Sequence, residues 1–251
     1  MIAFPNAKIN LGLHVLSKRA DGFHEMESCI YPVELCDVLE IIESNDFKFQ
    51  STGLPISGNK DNNLVIKAYR LLDDEFKLTN VQIHLHKIIP MGAGLGGGSS
   101  DAAYALKILN ALFELNLSDK QLESFAAELG SDCPFFIQNK PMIVSGTGTT
   151  LKRFEIDLSN YRIELEHPNV HVSTAEAYGM IKPKPSENTI ESILTHPIID
   201  WKNILTNDFE EPMCKRFTEI ANAKQSMYDK GAIYAAMSGS GSSVFGIFKK
   251  Q

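Results

Sequence analysis

The sequence predicts an α+β fold, and three stretches of the chain support this. Apolar and polar residues alternate over residues 8–15 and again over residues 81–85, which is the pattern of strands with one buried face. Apolar residues recur at helical spacing over residues 102–113, and a second helical stretch over residues 118–129 follows without a strand between them. This irregular mixture favours an α+β fold over a regular alternation of strands and helices.

Local capping signals place the helices along the chain. Asn62 or Asn63 can accept a hydrogen bond from the first turn of a helix that extends to about Phe76. Ser118 and Gln121 have the spacing of a capping box, in which two side chains satisfy backbone N–H groups at a helix start. The other predicted elements are strands at residues 26–33, 38–42 and 162–165, and helices at residues 189–206 and 212–229; residues 142–145 are an apolar segment that precedes a turn.

Composition limits the classes of protein to which the chain can belong. Its 251 residues suffice for one large domain or two small ones, and 43% hydrophobic with 22% charged residues is ordinary for a globular protein. The net charge of -7 disfavours non-specific nucleic-acid binding, which depends on neutralising phosphates. No apolar run approaches the roughly 20 residues of a membrane span. We therefore expect neither a nucleic acid nor a membrane as a partner.

The N-terminal segment and the cysteines favour a cytoplasmic protein. Residues 1–8 lack the basic start of a secretory signal, and Pro5, Asn6 and Lys8 interrupt their apolar character. The four cysteines are scattered and include no C-x-x-C pair, so we expect reduced thiols.

Residues 90–101, P-M-G-A-G-L-G-G-G-S-S-D, form a glycine loop at a predicted strand-to-helix junction. Five glycines within seven positions allow sharp bends and a close approach of backbone N–H groups to an anion. The helix that follows offers unpaired N–H groups and the positive end of its dipole, which suit phosphate. Ser99 and Ser100 can cap this helix or place a hydroxyl on a phosphate or its Mg²⁺.

Several other interpretations of the glycine loop are open to test. A flexible turn rich in glycine is the simplest, but so dense a cluster before a helix is unusual for it. No Gly-Lys-Ser/Thr follows, so the loop is not a Walker A motif. The loop matches the G-x-G-x-x-G dinucleotide fingerprint by letter, yet a second helix follows where that unit needs a strand ending in an acidic residue. The V-A-I-K, H-R-D and D-F-G landmarks of protein kinases are also missing.

The glycine loop resembles the phosphate-loop signature of the galactokinase, homoserine kinase, mevalonate kinase and phosphomevalonate kinase superfamily, the GHMP kinases. Five further segments, in chain order, resemble one branch of this superfamily whose substrate carries a cytidine diphosphate group. They are A-K-I-N-L at residues 7–11, R-A-D-G-F-H at 19–24, D-N-N-L-V at 61–65, G-S-D-C-P-F-F at 130–136 and S-G-S-G at 238–241. The resemblance covers nearly the whole chain, from about residue 3 to residue 248.

The resemblance implies a fold, a reaction and a set of ligands. The fold has an N-terminal ATP-binding domain, residues 1–155, with a mixed β-sheet and helices carrying the loop, and a C-terminal ferredoxin-like α/β domain, residues 156–251. The reaction is ATP-dependent phosphorylation, with Mg²⁺, of the 2-hydroxyl of a methylerythritol that bears a diphosphocytidyl group, in the non-mevalonate route to isoprenoid precursors. The resemblance further implies a monomer or weak homodimer.

By resemblance, Asp132 is the catalytic base and Lys8 its cationic partner. A carboxylate can accept the proton of the acceptor hydroxyl, and a nearby cation stabilises charge on the moving phosphoryl group. Taken without the resemblance, Asp132 fits a turn before a proline and Lys8 fits an exposed strand lysine. Asn10 shares a strand face with Lys8 and is expected to hydrogen-bond the acceptor.

The remaining candidate residues are implied to bind the two substrates. Phe23 and His24 resemble a cytosine-reading pair, with Tyr178 as the second aromatic side chain and Thr174 as a further ligand contact, although Phe23 alone would be interpreted as a core residue. ATP-binding candidates are Asn63, which also suits the helix N-cap, and Pro90, Met91, Gly92, Ala93, Gly94, Leu95, Gly96, Gly97, Gly98, Ser99 and Ser100; Ser99 is the candidate Mg²⁺ contact.

Two further points bear on function. His84 and His86 lie on one side of a predicted strand, but their lack of Cys or carboxylate partners favours a surface or structural role over a metal site. The competing functions are a homoserine- or mevalonate-type kinase, a non-catalytic nucleotide-binding protein that keeps only the loop, and a dinucleotide oxidoreductase. The Phe23-His24 pair disfavours the first, because those substrates have no base to read, and Lys8 with Asp132 disfavours the second.

Overall fold

The computed structural model describes residues 1–56 and 58–250 and confirms the α+β fold. The strands are β1 Ile2–Ala3, β2 Asn6–Lys18, β3 His24–Cys36, β4 Val38–Glu43, β5 Lys48–Gly53, β6 Val81–Lys87, β7 Met142–Gly146, β8 Thr150–Arg153, β9 Tyr161–Glu166, β10 Tyr234–Met237 and β11 Val244–Lys249. The helices are α1 Leu64–Phe76, α2 Gly97–Leu112, α3 Asp119–Leu129, α4 Cys133–Gln138, α5 Thr174–Met180, α6 Ile190–Leu194, α7 Ile198–Ile204, α8 Glu210–Arg216 and α9 Thr218–Asp229, with a 3₁₀ turn at Lys60–Asn62.

The strands form three sheets among the described residues, with the orders β1-β4-β6-β5, β2-β3-β7-β8 and β10-β11-β9. In the first sheet β5 pairs with β6 in parallel, whereas β4 pairs with β6 and with β1 in antiparallel register. The third sheet is antiparallel throughout, with Phe245 of its central strand opposite Leu165 on one side and Ala236 on the other.

The chain divides into two compact units, each built from separate segments. The first unit comprises Met1–Ala7, Glu34–Met91 and Gly96–Lys140; the second comprises Lys8–Val33, Gly92–Leu95 and Pro141–Gln251. In the first unit α1 and α2 pack on each other, and α2 also packs on β4. In the second unit one core cluster joins buried residues of β2, α8, α9, β10 and β11, including Phe209, Met213 and Met237. A domain boundary at residues 155 and 156 stays a prediction.

Strand β2 is buried on both faces, whereas its alternating sequence predicts one solvated face. Every residue from position 6 to position 15 is buried, and Lys8 and Asn10 are only 5% and 4% exposed. The interpretation of Lys8 as an exposed strand lysine is therefore wrong. A buried ammonium and a buried amide need hydrogen-bond partners, because desolvation without them is unfavourable.

The helix starts agree with their capping signals in two cases and differ in one. Asn63 caps α1 by accepting a hydrogen bond from the Val65 N–H, and Ser118 with Gln121 forms the capping box of α3. Helix α2, however, begins at Gly97 rather than after the serines, with Gly96 at the N-cap in a left-handed conformation and no side-chain cap. Ser99 and Ser100 thus lie inside the first turn, because three glycines let the backbone enter the helix earlier.

The helical stretches predicted at residues 189–206 and 212–229 are each divided in two. Pro197, whose ring cannot continue the hydrogen bonding of α6, stands at the N-cap of α7. Phe217 separates α8 from α9 and has extended backbone angles. The spacing of apolar residues is continuous across both breaks, so periodicity alone could not locate them.

Candidate active site

The glycine loop, residues 90–101, requires glycine at defined positions. Gly92, Gly94 and Gly96 have φ values of 63°, 77° and 69°, a region that side chains disfavour. At Gly94 a Cβ atom would lie 2.0 Å from the carbonyl oxygen of Ser238, so a side chain is sterically excluded. The loop can hold this path only because its sequence alternates glycine with Ala93 and Leu95, which are buried.

Backbone and hydroxyl hydrogen bonds hold the middle of the loop within the second unit. The carbonyl oxygen of Gly94 accepts from the Ser238 hydroxyl at 2.8 Å, and the carbonyl oxygen of Leu95 accepts from the Lys8 N–H at 2.9 Å. The carbonyl oxygen of Ala93 accepts from the Ser243 N–H at 3.1 Å. Because these carbonyl groups are occupied by the protein, the loop is fixed through its oxygen atoms, which suits a loop that offers its N–H groups to an anion.

The last glycines of the loop open helix α2 in the first unit. The first N–H groups of a helix have no intrahelical partner, and the helix dipole places partial positive charge there. Ser99 is half-buried in this first turn, whereas Ser100 is fully buried and its hydroxyl has no hydrogen-bond partner among the described residues. The start of α2 therefore has the properties of an anion site.

Lys8, Asn10 and Ser28 form a buried hydrogen-bonded chain in the second unit. The Lys8 ammonium donates to Asn10 Oδ1 at 2.6 Å, and Asn10 Nδ2 donates to the Ser28 hydroxyl at 2.8 Å. Ser28 in turn donates to the carbonyl oxygen of Gly12 at 2.6 Å. Because Ser28 donates to that carbonyl, its oxygen is left to accept, and this orients the Asn10 amide with its oxygen toward Lys8.

Asp132 occupies the N-cap position of the short helix α4 and is half-buried in the first unit. It follows the end of α3 and precedes Cys133 and a proline, so the backbone turn predicted around it is present. Burial raises the pKa of the Cys133 thiol to about 11, so this neighbour of Asp132 is a neutral thiol near pH 7.

Of the aromatic residues expected to bind a base, two are in contact with each other. The His24 ring stacks on the Tyr178 ring with centroids 4.7 Å apart and planes inclined by 21°, and Tyr178 packs edge-on against Phe209. Phe23 is 65% exposed, so its interpretation as a core residue is wrong. Phe23 precedes His24 in the chain and exposes its ring, and the stacked His24–Tyr178 pair offers further aromatic surface; aromatic faces of this kind suit a planar ring.

The two remaining candidates differ in their surroundings. Thr174 is the exposed first residue of α5, and its hydroxyl lies 3.4 Å from the Ser240 hydroxyl in the second unit. Asn63 uses Oδ1 as the N-cap of α1, 2.9 Å from the Val65 nitrogen, so its amide nitrogen is left to donate. The capping role and a ligand-binding role for Asn63 are therefore compatible.

The structure brings together Lys8 with Asn10 and His24 with Tyr178 within the second unit, while Asn63, Ser99 and Asp132 belong to the first. Sequence reasoning missed Ser28, which orients Asn10. It named residues 238–241 as a motif without a role, and the structure shows Ser238 holding the loop. The sequence around Ser28 gives no signal of this role, because the role depends on a hydrogen bond to Asn10, which is 18 positions away in the chain.

The residues present fit a magnesium ion that arrives with a nucleotide. No cluster of three or more His, Cys, Asp or Glu residues within residues 1–56 and 58–250 is arranged to hold a metal by itself. His84 and His86, two positions apart on one face of β6, both lie 2.9 Å from the Thr52 hydroxyl. Ser99, half-buried in the first turn of α2, carries a hydroxyl at the place where phosphate-binding loops offer a serine or threonine oxygen to such an ion.

Comparison with known proteins defines the class of this chain. The model of the GHMP kinase N-terminal domain matches residues 63–140, and that of the GHMP kinase C-terminal domain matches residues 189–251. A crystal structure of mevalonate kinase superposes with a TM-score of 0.72 at 13% identity, covering 99% of this chain and 91% of that one, which shows a shared fold. The class is that of the GHMP small-molecule kinases.

More similar relatives define the family within this class. The chain is 50% identical to the 4-diphosphocytidyl-2-C-methyl-D-erythritol kinase of Azobacteroides pseudotrichonymphae, over 100% of this chain and 94% of that relative. The kinase of the same name from Bacteroides fragilis is 50% identical over 100% of this chain and 93% of that protein. A crystal structure of 4-(cytidine 5'-diphospho)-2C-methyl-D-erythritol kinase superposes with a TM-score of 0.86 at 32% identity, covering 98% and 90% of the two chains. This chain belongs to the 4-diphosphocytidyl-2-C-methyl-D-erythritol kinase family of the GHMP kinases.

Proposed function

We propose that this protein transfers the γ-phosphoryl group of ATP to the 2-hydroxyl of 4-diphosphocytidyl-2-C-methyl-D-erythritol. The observation that carries the proposal is the glycine loop, fixed by three left-handed glycines at the start of α2. Two relatives that are 50% identical over the full length carry the name of this kinase, which supports the choice of acceptor. The product would enter the methylerythritol phosphate route to isoprenoid precursors.

ATP would be held by the glycine loop and Asn63. The loop residues 90–100 would surround the phosphates, with N–H groups at the start of α2 donating to their oxygens. The Asn63 amide nitrogen would donate to the adenine, while its oxygen keeps capping α1. Ser99 is the residue that would contact a magnesium ion bound to the nucleotide, and such an ion would neutralise charge on the phosphate oxygens.

Asp132 and Lys8 would perform the transfer. The acceptor hydroxyl oxygen forms a bond to the γ-phosphorus while the bond from that phosphorus to the β–γ bridging oxygen breaks, and ADP leaves. Asp132 accepts the hydroxyl proton, and the Lys8 ammonium stabilises negative charge on the transferring group. Asn10, whose amide orientation is set by Ser28, would hydrogen-bond the acceptor.

The acceptor would be recognised through its cytosine. His24 supplies hydrogen bonds to the base edge, and Phe23 and Tyr178 supply aromatic faces for stacking. Thr174 contacts the ligand from the first turn of α5. A homoserine or mevalonate substrate has no base for these residues to bind, so the aromatic group favours the cytidine substrate over the two alternatives.

We also propose that the protein is cytoplasmic and is a monomer or weak homodimer. Among the described residues, none of the helices combines the length and the apolar character that crossing a bilayer requires. All four cysteines are free thiols, as the scattered spacing predicts. The net charge of -7 supports the expectation that nucleic acid is not a partner.

A side-by-side substrate assay tests this function. ADP release is measured with the cytidine substrate, mevalonate and homoserine under identical ATP and Mg²⁺ conditions, and we expect release with the cytidine substrate alone. A His24→Ala variant should raise KM for that substrate and leave KM for ATP unchanged. ADP release with mevalonate or homoserine but not with the cytidine substrate would refute the proposed acceptor, and ATP binding without transfer to any of the three would favour a non-catalytic nucleotide-binding protein.

A further inference from the structure

A cluster of three charged side chains lies buried where β6 leads into the glycine loop. Lys87 and Asp101 are each 2% exposed and Asp37 is fully buried. The Lys87 ammonium donates to Asp101 Oδ2 at 2.7 Å and also to Asp37 Oδ2. These residues come from the β3–β4 junction, the end of β6 and the second turn of α2, all within the first unit.

Asp37 fixes the segment that enters the glycine loop. Its second oxygen, Oδ1, accepts hydrogen bonds from the backbone N–H groups of Ile88 and Ile89, the latter at 2.9 Å. These two residues follow β6 and immediately precede Pro90, the first residue of the loop. A charged acceptor makes such backbone hydrogen bonds strong, so the direction of the chain at the loop entrance is well defined.

Asp101 ties the exit of the loop to the same ammonium. It is the fifth residue of α2, a helix whose N–H groups at Gly97 and Gly98 have no intrahelical partner and are therefore available to an anion. The ion pair between Lys87 and Asp101 therefore holds the first turns of α2 to the end of β6. The Lys87 side chain therefore connects the segment before the loop to the last residue of the loop.

Gly97 is shaped to admit this connection. A Cβ atom at position 97 would lie 2.8 Å from Ile89 Cγ2 and 3.3 Å from the Lys87 ammonium nitrogen. A side chain there would displace either the loop entrance or the lysine. This gives Gly97 a role that differs from the backbone bending required at Gly92, Gly94 and Gly96, because its φ is not in the left-handed region.

Stability alone does not explain a cluster of this kind. Removing three charges from water is unfavourable, and apolar residues of similar volume can replace buried ion pairs with equal or greater stability. Such a cluster fixes the relative positions of the segments that carry it, because each charged group must lie at hydrogen-bonding distance from its partners. Here the segments whose relative positions are fixed are the two ends of the glycine loop.

We propose that Lys87, held by Asp37 and Asp101, is a positioning residue for ATP that clamps the two ends of the glycine loop. The clamp sets the spacing between the loop entrance and the start of α2, so that the N–H groups converge on the nucleotide phosphates. The proposal rests on the proposed binding of ATP to this loop, and it does not depend on the identity of the acceptor.

Nucleotide titration of the full-length protein tests the clamp. Lys87→Met removes the ammonium at similar volume. Asp101→Asn keeps the shape and one oxygen acceptor but removes the charge that the carboxyl carries above its folded pKa of about 7, so the titrations are made at pH 8. We expect the Kd for MgATP to rise about tenfold or more in Lys87→Met and severalfold in Asp101→Asn. A small displacement of the N–H groups that bind the phosphates is enough to weaken binding by this amount. In both variants KM for ATP should rise and KM for the cytidine substrate should not.

A matched control separates positioning from loss of stability. Val81 is fully buried at the opposite end of β6, about 20 Å away by strand rise, and Val81→Ala creates a small cavity there. Compared at equal fractions of folded protein, Val81→Ala should retain the wild-type Kd for MgATP. An unchanged Kd in folded Asp101→Asn, or equal weakening in Val81→Ala, overturns the clamp. If Lys87→Met does not fold, the Kd of Asp101→Asn alone tests the clamp.

Failure of the clamp and failure of the proposed function can be told apart. Absence of turnover in wild-type protein with the cytidine substrate would refute the proposed acceptor only, because the MgATP titration needs no acceptor.

Discussion

The Lys8 ammonium and the Asn10 side-chain oxygen are 2.6 Å apart on one face of β2, and both residues are buried. Two positions along a strand place side chains on the same face, so the sequence spacing makes this contact available. Burial makes it strong, because neither group has bulk water as an alternative partner. The pair forms a fixed cationic site, and the hydrogen bond from Asn10 to Ser28 sets the orientation of the Asn10 amide.

Replacing Lys8 should remove transfer without removing the fold. We expect Lys8→Ala to lower kcat about 10²- to 10³-fold, the loss typical of deleting a group that stabilises transition-state charge. KM for ATP should change little. Steady-state kinetics check this, with Lys18→Ala as control, since Lys18 is the exposed last residue of the same strand. Equal losses in the two variants would contradict a specific role for Lys8.

Replacing Asp132 should remove the proton acceptor. Asp132→Asn keeps the size of the side chain at the N-cap of α4, so we expect an unchanged melting temperature and a kcat lowered roughly 10²- to 10⁴-fold. Asp119→Asn, at the exposed first position of α3, is the matched control and should be fully active. Wild-type activity in purified Asp132→Asn protein would refute the role as base.

Ser28 should act through Asn10 rather than on the substrate. Loss of one buried hydrogen bond is worth about 1 kcal/mol, so we expect Ser28→Ala to lower kcat/KM for the acceptor about fivefold. Because the bond orients the acceptor-binding amide, KM for the acceptor should rise while KM for ATP stays constant. Ser124→Ala, which removes an exposed serine hydroxyl on α3, should leave both values unchanged. A uniform change in both KM values would mean that Ser28 only supports the fold.

Gly94 should tolerate no side chain. In Gly94→Ala the new Cβ would lie 2.0 Å from the Ser238 carbonyl oxygen, so the loop must move, and we expect MgATP affinity to fall about 10²-fold. Gly231→Ala is the matched control: its φ is 93°, but no atom lies within 4 Å of the added Cβ. Both variants carry backbone strain, and only Gly94→Ala adds a clash, so Gly231→Ala should keep the wild-type affinity for MgATP in a calorimetric titration. An equal loss of MgATP affinity in the two variants would mean that backbone strain, and not the clash with Ser238, causes the effect.

The Asp101 carboxyl should make stability depend on pH. Burial raises its pKa from 3.8 to about 7 in the folded protein, so folding disfavours the ionised form. With the folded pKa above the unfolded one, this group's contribution to stability decreases as pH rises from about 4 to about 7 and is constant above that. The melting temperature of Asp101→Asn relative to wild type should therefore increase between pH 5 and pH 7 and then level off. A difference that does not vary with pH would contradict the raised pKa.

Much of the local structure could be predicted because its causes lie in neighbouring residues. Asn63 caps α1, Ser118 and Gln121 form the capping box of α3, and the chain turns at the glycine loop, as the spacing of these residues indicates. The α+β fold and the kinase family are likewise confirmed. The breaks between α6 and α7 and between α8 and α9 could not be located from apolar periodicity, because it continues through them. The start of α2 could not be located from its serines, because the helix begins at Gly97, two residues before Ser99.

By itself, the sequence determined which residue types stand where chemistry is needed: a glycine loop before a helix, a lysine two positions from an asparagine, and an aspartate after a helix end. Only the tertiary structure decided which of them are buried and which meet. It buried both faces of β2, joined Asn10 to Ser28, and brought Asp37, Lys87 and Asp101 together from positions up to 64 residues apart, as 101 minus 37 gives. The physical reason is that desolvation and ion pairing depend on the distance between side chains in space, and packing of separate elements sets that distance.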